Sequence, residues 1–258
     1  MRSLWKGSIG FGLVNIPVGL YSATEESNLS FVSLDKQSKA RIKYKKVSES
    51  SGKEVKTEDI IKAYPIGGQF VTLESEDFDK ASPTKKDHID IVQFVAEKEI
   101  DALYYEKPYY LAPEKGGDRA YVLLREALKK EGKGALGLFV FHNREWVCLL
   151  KPSGDVLVLH RLRFAEEVKP TASLTVPSVT MKADELKMAT SLINQLTKPF
   201  KPEQFKDEYS AKLLKVIEAK SKGKTASFKP MKVVHTTQTE DLMAKLKASL
   251  KTSTRKAS

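Results

Sequence analysis

Short runs in which hydrophobic and polar residues alternate dominate the first two thirds of the chain. Side chains on a strand point alternately to its two faces, so such runs predict strands. The first two runs are Ser8–Val14 and Pro17–Tyr21, with Asn15 predicted at the turn between them, and a third is Arg41–Val47. Three later runs predict an antiparallel meander: Ala135–Phe141, Glu145–Leu150 and Val156–Phe164. The pattern therefore predicts a mainly β, α+β protein.

Helical periodicity occurs once inside this β-rich part and again near the end of the chain. The spacing of Tyr121, Leu124 and Leu128 predicts a helix over Asp118–Glu131, with Asp118 as N-cap and Gly132 at its end. Further helices are predicted at Ala183–Leu196 and Pro202–Lys220, after a Pro-containing linker. A last amphipathic helix is predicted at Glu240–Leu250, where Leu242, Leu246 and Leu250 form an apolar stripe.

The positive charge of the chain is concentrated at its C-terminal end. The 258 residues carry a formal net charge of +11. From Lys220 to Ser258 the chain has nine lysines and one arginine, and its acidic residues there are Glu240 and Asp241. This end therefore has a net charge of +8, and only +3 remains for the rest of the chain. A basic tail on a nearly neutral body indicates a polyanionic partner.

The residues that would mark an enzyme or a metal protein are missing. Gly132–Gly137 fits the letters of the dinucleotide fingerprint, but a predicted helix precedes it and a strand follows, which is the reverse of what phosphate binding needs. No phosphate-binding loop, nucleophile elbow or carboxylate cluster is recognisable. The single cysteine, Cys148, lies among apolar residues and is predicted to be inert core in a protein of a reducing compartment. We therefore predict no catalytic residue, no metal and no cofactor, and no membrane span.

The run Arg41–Val47 is the most specific basic feature of the body. As a strand it would place Arg41, Lys43 and Lys45 on one face and Ile42 and Tyr44 on the other. Two interpretations stay open, a track for nucleic-acid phosphates and a solvated edge strand that lysines protect from pairing. The candidate DNA-binding residues of the body are Lys36, Lys39, Arg41, Lys43, Lys45, Lys46, Lys53, Lys56, Arg161 and Arg163. For the two last arginines a structural role is equally open.

The tyrosines between Tyr104 and Tyr110 also allow two interpretations. They could stack on bases, as in proteins that bind single strands. Their neighbours Leu103, Pro108 and Leu111 are apolar, and aromatic residues in such a context pack a core.

Several stretches, taken in order, resemble bacterial Ku, the family that binds DNA ends in non-homologous end joining. The first is the opening Leu4–Ala23, and Arg41–Tyr44 follows it. Lys107–Pro113 with the helix after it, Val156–Val168 and Pro202–Lys220 complete the series, so the resemblance covers residues 1 to 222.

The resemblance implies a Ku-core β-barrel with an inserted bridge, from which two subunits build a ring around duplex DNA. It implies a core at residues 1–170 with the bridge at roughly 28–90, a linker and helical arm at 171–222, and a Lys-rich tail at 223–258. The bridge lysines would face DNA, with Ile42 and Tyr44 packed on the other side. The implied partners are double-stranded DNA ends, a second copy of the chain and the ATP-dependent DNA ligase D, in the cytoplasm at the bacterial nucleoid.

The sequence departs from the family pattern beside the bridge lysines. Many members carry cysteines there that resemble a zinc ribbon, and the corresponding positions are Ser38, Ser48 and Ser51. The resemblance therefore implies no metal in this chain.

Two other functions remain as alternatives to a DNA-end clamp. A general nucleic-acid or nucleoid-binding protein could act through the tail alone, whose candidate residues are Lys220, Lys222, Lys224, Lys245, Lys247 and Lys251. A nucleic-acid phosphoesterase would need a carboxylate cluster that the sequence does not contain.

Overall fold

The structure, a computed structural model, describes residues 1–81, 87–141 and 144–224, together with 244, 246, 248 and 249. It divides into two compact units, Met1–Thr171 and Ala172–Ser258.

Seven strands of the first unit form a closed barrel. Along the chain, the strands of this unit are β1 (Trp5–Phe11), β2 (Val14–Ser22), β3 (Lys62–Ile66), β4 (Gln69–Leu73), β5 (His88–Ala96), β6 (Tyr105–Pro113), β7 (Lys133–Phe141), β8 (Arg144–Ser153) and β9 (Val156–Leu162). The barrel order is β1-β2-β6-β9-β8-β7-β5, and β3 and β4 form a separate hairpin. All neighbours in the barrel are antiparallel except β1 and β5, whose parallel pairing closes it. The predicted mainly β fold with a meander at β7–β9 is confirmed.

The first hairpin turns two residues earlier than predicted. Phe11 pairs with Val14, so the turn consists of Gly12 and Leu13, and Asn15 lies within β2 opposite Gly10. Gly12 has a φ of +58°, a conformation that a tight two-residue turn requires and that glycine adopts without strain. The turn therefore follows the glycine, and the prediction of a turn at Asn15 was wrong.

The barrel interior is filled by aliphatic side chains from every strand. Ile9, Ile16, Leu20, Ile89 and Leu150 are among those without solvent exposure. Each such side chain contributes about 1.5–3 kcal/mol of burial free energy. Cys148 belongs to this cluster, and burial raises the pKa of its thiol far above the ordinary value, as the prediction of an inert core cysteine requires.

One helix completes the core of the barrel unit. Helix α2 spans Asp118–Glu131 as predicted, but its N-cap is Gly117 and not Asp118. The label α1 belongs to the short helix Ser75–Ala81, which precedes it in the chain. Gly132 ends α2 with a φ of +61°. The buried Tyr121 hydroxyl donates to the Leu111 carbonyl at 2.6 Å and accepts from the Leu157 N–H at 2.7 Å, so α2 is tied to both β6 and β9.

Between β2 and β5 the chain leaves the barrel and forms a long insertion. From Thr24 to Ala81, a range that is described throughout, no residue is buried. The insertion contains the β3–β4 hairpin and α1. We call the described part of it, residues 24–81, the bridge. Since it buries nothing within one chain, its side chains are available for other molecules.

The predicted strand Arg41–Val47 is not part of a sheet. Only its two ends pair: Arg41 forms a single antiparallel residue pair with Leu34, and Val47 forms one with Glu54. A continuous strand needs a hydrogen-bonded neighbour along its whole length, but here only Leu34 and Glu54 pair with the segment, one at each end. The prediction of a full strand was therefore wrong, although its two ends are extended and paired.

Residues 172–224 of the second unit contain two α-helices. Helix α3 spans Ala183–Leu196 as predicted, and α4 spans Glu208–Ser221. The predicted helix at Pro202–Lys220 begins six residues late, because Asp207 caps α4 by accepting from the Ser210 N–H at 3.0 Å and Pro202–Gln204 forms a separate 3₁₀ turn. The predicted tail helix lies mostly outside the described residues, of which Ala244, Leu246, Ala248 and Ser249 are helical. Among the described helices, none has both the length and the apolar character needed to span a membrane.

Candidate nucleic-acid interface

Two tight turns flank the most lysine-rich stretch of the bridge, Lys43–Lys46. The first turn follows Leu34: the Asp35 N–H donates to the Ala40 carbonyl at 2.9 Å, and the Lys39 N–H donates to the Asp35 carbonyl at 2.9 Å. The Asp35 carboxylate accepts from both the backbone N–H and the hydroxyl of Ser38, and these bonds, the hydroxyl first, lower its pKa. Hydrogen bonds to Ser38 therefore hold this turn together.

The second turn follows Val47 and repeats the arrangement. The Ser48 N–H donates to the Lys53 carbonyl at 2.9 Å, and the Gly52 N–H donates to the Ser48 carbonyl at 2.8 Å. Gly52 has a φ of +65°, so a glycine is favoured at this point of the turn. Ser48 and Ser50 are joined through their hydroxyls at 3.1 Å.

The segment that contains both turns is strongly basic and exposed. We call residues Asp35–Lys56 the basic segment; it carries eight cations against Asp35, Glu49 and Glu54, a net charge of +5. Lys45 is paired with Glu54 at 2.6 Å and Lys56 with Glu58 at 3.6 Å. Within the described part of the chain the other six have no ion pair: Lys36, Lys39, Arg41, Lys43, Lys46 and Lys53. Unpaired, exposed cations at this density attract a polyanion.

The expectation that Ile42 and Tyr44 pack behind the lysines fails within one chain. Ile42 is 48% exposed and Tyr44 is 88% exposed. Within the described part of the chain, no element covers these two side chains. Sequence alternation separates the two faces but cannot supply a covering layer.

Arg161 lies on β9 opposite the core residue Cys148 and is held by other protein groups. Its Nε donates to Glu106 at 2.6 Å, a second nitrogen pairs with the other carboxylate oxygen, and the guanidinium lies 3.6 Å from the centre of the Trp146 ring. A bidentate, stacked arginine has few donors left for phosphate. DNA contact by Arg161 stays a prediction.

Arg163 joins the end of β9 to the start of β6. Its backbone N–H donates to the Tyr104 carbonyl at 2.8 Å, and its guanidinium donates to the Tyr105 carbonyl at 2.8 Å and to the Leu103 carbonyl at 3.5 Å. These bonds support the structural alternative for this residue, and DNA contact by Arg163 likewise stays a prediction.

The tyrosine cluster belongs mostly to the barrel. Tyr109 is 5% exposed and packs in the core with Phe141, their ring centres 6.5 Å apart. The Tyr105 ring meets His160 edge-on at 5.2 Å, and its hydroxyl is buried. Core packing, and not base stacking, therefore accounts for these two residues.

Only half of the tail lysines can be placed. Lys220 lies in the last turn of α4 and Lys222 follows the helix, where cations also interact favourably with the helix dipole. Lys224 follows directly, with its backbone N–H bonded to the Ala219 carbonyl at 2.8 Å. Lys245, Lys247 and Lys251 lie outside the described residues.

Comparison with known proteins identifies the family. Residues 10–188 match the family model of the Ku70/Ku80 beta-barrel domain. The chain belongs to the Ku family. Among its relatives, the non-homologous end joining protein Ku of Coxiella burnetii is 38% identical over 96% of this chain and 94% of its own. Proteins of the same name from Opitutus terrae and Archaeoglobus fulgidus are 40% and 39% identical, over 97% and 87% of this chain and 91% and 90% of theirs.

In this member of the Ku family, serines at the two turns of the basic segment take part in hydrogen bonds. Ser38 donates to Asp35, and the Ser51 hydroxyl lies 3.4 Å from the Lys53 backbone nitrogen that donates to it. Within residues 1–81, 87–141 and 144–224, no three histidine, cysteine or carboxylate side chains are grouped to hold a metal ion.

Sequence reasoning missed which Ku bridge cations are already paired and which are free. The Lys45–Glu54 pair spans nine positions and forms only because the second turn brings Val47 opposite Glu54. A spacing rule for strands or helices does not signal such a pair.

Proposed function

We propose that this Ku-family chain binds the ends of double-stranded DNA without reading sequence, as a ring of two copies, and acts in non-homologous end joining. In this role it protects the ends, holds them together and recruits the ATP-dependent DNA ligase D. It is a binding protein and not an enzyme.

The observation that carries the proposal is the exposed basic segment on a bridge anchored at both ends in a rigid barrel. The bridge leaves after β2 and returns at β5, two strands that both pair with β1. A segment with two fixed ends can arch over a rod-shaped ligand. Six cations from Lys36 to Lys53, unpaired within the described part of the chain, would provide phosphate contacts, and lysine charges bind any base sequence.

Exposed apolar side chains on the bridge support the ring of two copies. Phe31 is 69% exposed, Tyr44 88% and Phe70 78%, and large apolar groups at this density mark an interaction surface. A second copy would bring the same surface, so that two bridges can cover each other about a twofold axis. The ring would then retain DNA through its closed shape, and the duplex could still slide.

A comparison of linear and closed DNA tests the proposal. The full-length protein is titrated with a linear duplex and with a covalently closed circle of the same sequence, over a series of salt concentrations. We expect binding to the linear form, little binding to the circle, and a log–log salt slope of about 0.9 per neutralised phosphate. Equal affinity for both forms would refute threading from an end.

The tail is proposed to strengthen DNA binding and, with the helical arm, to recruit the ligase. A chain that ends at Lys224 separates this role from that of the bridge. We expect it to keep its preference for linear DNA, with weaker overall affinity and reduced stimulation of end joining by purified ligase D. Loss of nearly all DNA affinity would instead favour a general nucleic-acid-binding protein driven by the tail.

A further inference from the structure

The bridge carries two consecutive segments of opposite charge. The basic segment, Asp35–Lys56, has a net charge of +5. We call the following residues, Thr57–Ala81, the acidic segment; it has six carboxylates against Lys62 and Lys80, a net charge of −4. The two segments together are therefore almost neutral, at +1.

The acidic segment keeps its charges in solvent. Among the described residues, Glu58 is the one carboxylate of this segment that forms an ion pair, with Lys56. The Asp77 side chain accepts a hydrogen bond from the Glu74 N–H at 3.0 Å at the start of α1. Both segments lie wholly within the range where no residue is buried. The remaining four carboxylates, Asp59, Glu74, Glu76 and Asp79, are exposed and unpaired within the described part of the chain.

The fold gathers carboxylates that are distant in sequence. Lys62 pairs with Leu73 at the open end of the β3–β4 hairpin, so the residues before β3 and after β4 come together. Glu58, Glu74 and Glu76 therefore line one shallow depression. Lys62 lines the same depression, so three carboxylates and one cation meet there.

We propose that the acidic segment is a specificity determinant that weakens binding to duplex without a free end. This inference rests on the function proposed above. At physiological salt, charges act over about 8 Å, so a duplex that lies across the bridge meets both segments, whose summed net charge is +1. A duplex threaded along the basic segment would be attracted by six cations that have no ion pair among the described residues. The acidic segment thus makes attraction depend on threading.

Neutralising the acidic segment tests this inference in the full-length chain. The variant replaces the four unpaired carboxylates by amides: Asp59→Asn, Glu74→Gln, Glu76→Gln and Asp79→Asn. A matched control makes the same change of net charge at exposed carboxylates outside the bridge: Glu99→Gln, Glu131→Gln, Glu145→Gln and Asp155→Asn. Circular dichroism and thermal unfolding establish that both proteins are folded.

Affinities for the linear duplex and the closed circle are measured for all three proteins. We expect the acidic-segment variant to gain about tenfold in affinity for the circle and much less for the linear form, because like charges no longer repel phosphates. The control should raise both affinities alike and leave their ratio unchanged.

The outcomes separate this inference from the function on which it rests. If wild type prefers linear DNA and the variant keeps the same linear-to-circle ratio, the inference is wrong and the proposed function stands. An equal shift of that ratio in the control would also overturn it, since overall charge would then be the cause. If wild type itself shows no preference for linear over circular DNA, the proposed function is wrong, and the inference that rests on it is wrong as well.

Discussion

His160 is a half-buried titratable residue on β9. Its ring packs edge-on against Tyr105 at 5.2 Å, beside the ion pair of Lys151 and Glu97. Burial, and next the positive charge of Lys151, lower the pKa of His160 below its usual value of 6.5. The folded barrel therefore holds this imidazole neutral where the unfolded chain would already bind a proton.

The lowered pKa of His160 predicts a loss of stability in acid. As pH falls below about 6.5, the unfolded chain takes up a proton at this site before the native state does, so the free energy of unfolding decreases. We expect His160→Gln to lose less of that free energy than wild type between pH 7.5 and pH 5, measured by urea unfolding. Identical losses in the two proteins would contradict this assignment.

At the scale of elements, closure of the barrel depends on a close approach at β1. A Cβ atom on Gly7 would lie 2.2 Å from the Trp5 ring and 2.4 Å from the Asp87 carbonyl oxygen. The Asp87 oxygen accepts from the Ser8 N–H at 3.0 Å, next to the first β1–β5 pair. Glycine at this position lets the chain re-enter the barrel beside β1.

Gly7→Ala therefore forces the closing strands apart. We expect it to reduce the free energy of unfolding by about 1–3 kcal/mol, as overpacking does. Gly10→Ala in the same strand is the control, because its Cβ would find its nearest atom at 3.4 Å, an ordinary contact distance. Denaturant unfolding of both variants measures the difference, and equal stability would refute the closure argument.

The basic segment is the second element whose details matter. Its unpaired cations differ physically from Lys45 and Lys56, whose ammonium groups are engaged with Glu54 and Glu58. A free ammonium can replace counterions on DNA directly, whereas a paired one must first leave its carboxylate.

Replacing Lys43, Lys46 and Lys53 by glutamine is expected to weaken binding to linear duplex at all sequences alike. The log–log salt slope should fall by about 0.9 for each phosphate that the variant no longer neutralises. The control, Lys45→Gln with Lys56→Gln, should change the slope less per residue. Salt titrations of both variants measure this, and an unchanged slope in the triple variant would exclude these lysines from the interface.

At the scale of the molecule, the bridge carries large apolar side chains that are exposed to solvent in a single chain. The barrel unit has a buried core, yet from Thr24 to Ala81 nothing is buried. The proposed second copy would remove this apolar surface from water and supply the layer that Ile42 and Tyr44 lack.

Charged substitutions on this surface test the ring of two copies. We expect wild type to sediment as a dimer and Tyr44→Glu with Phe70→Glu to sediment as a monomer, because both side chains are largely exposed in the single chain. Leu13→Glu, at the turn between β1 and β2, is the control for an exposed apolar residue outside the bridge. A double variant that stays dimeric at micromolar concentration would place the interface elsewhere.

The parts of the fold that could be predicted from sequence are those with local signals. Helix α2 was predicted with both its bounds, since its apolar stripe and the glycine at its end are properties of consecutive residues. The Arg41–Val47 strand was not correctly predicted, because strand pairing depends on residues that only folding brings alongside. The candidate site was predicted as a set of lysines, but the ion pair of Lys45 and the engagement of Arg161 with Glu106 required the structure.

The sequence by itself determined the mainly β fold, the helices α2 and α3, the basic character of the bridge and the resemblance to Ku, because periodicity, charge and motifs are read along the chain. The tertiary structure alone decided that the barrel closes through β1 and β5 and which cations are free. It also decided that the bridge is left without a core and that carboxylates around Glu58 and Glu74 gather at one place. These features depend on contacts between residues far apart in sequence, and such contacts exist only once the chain has folded.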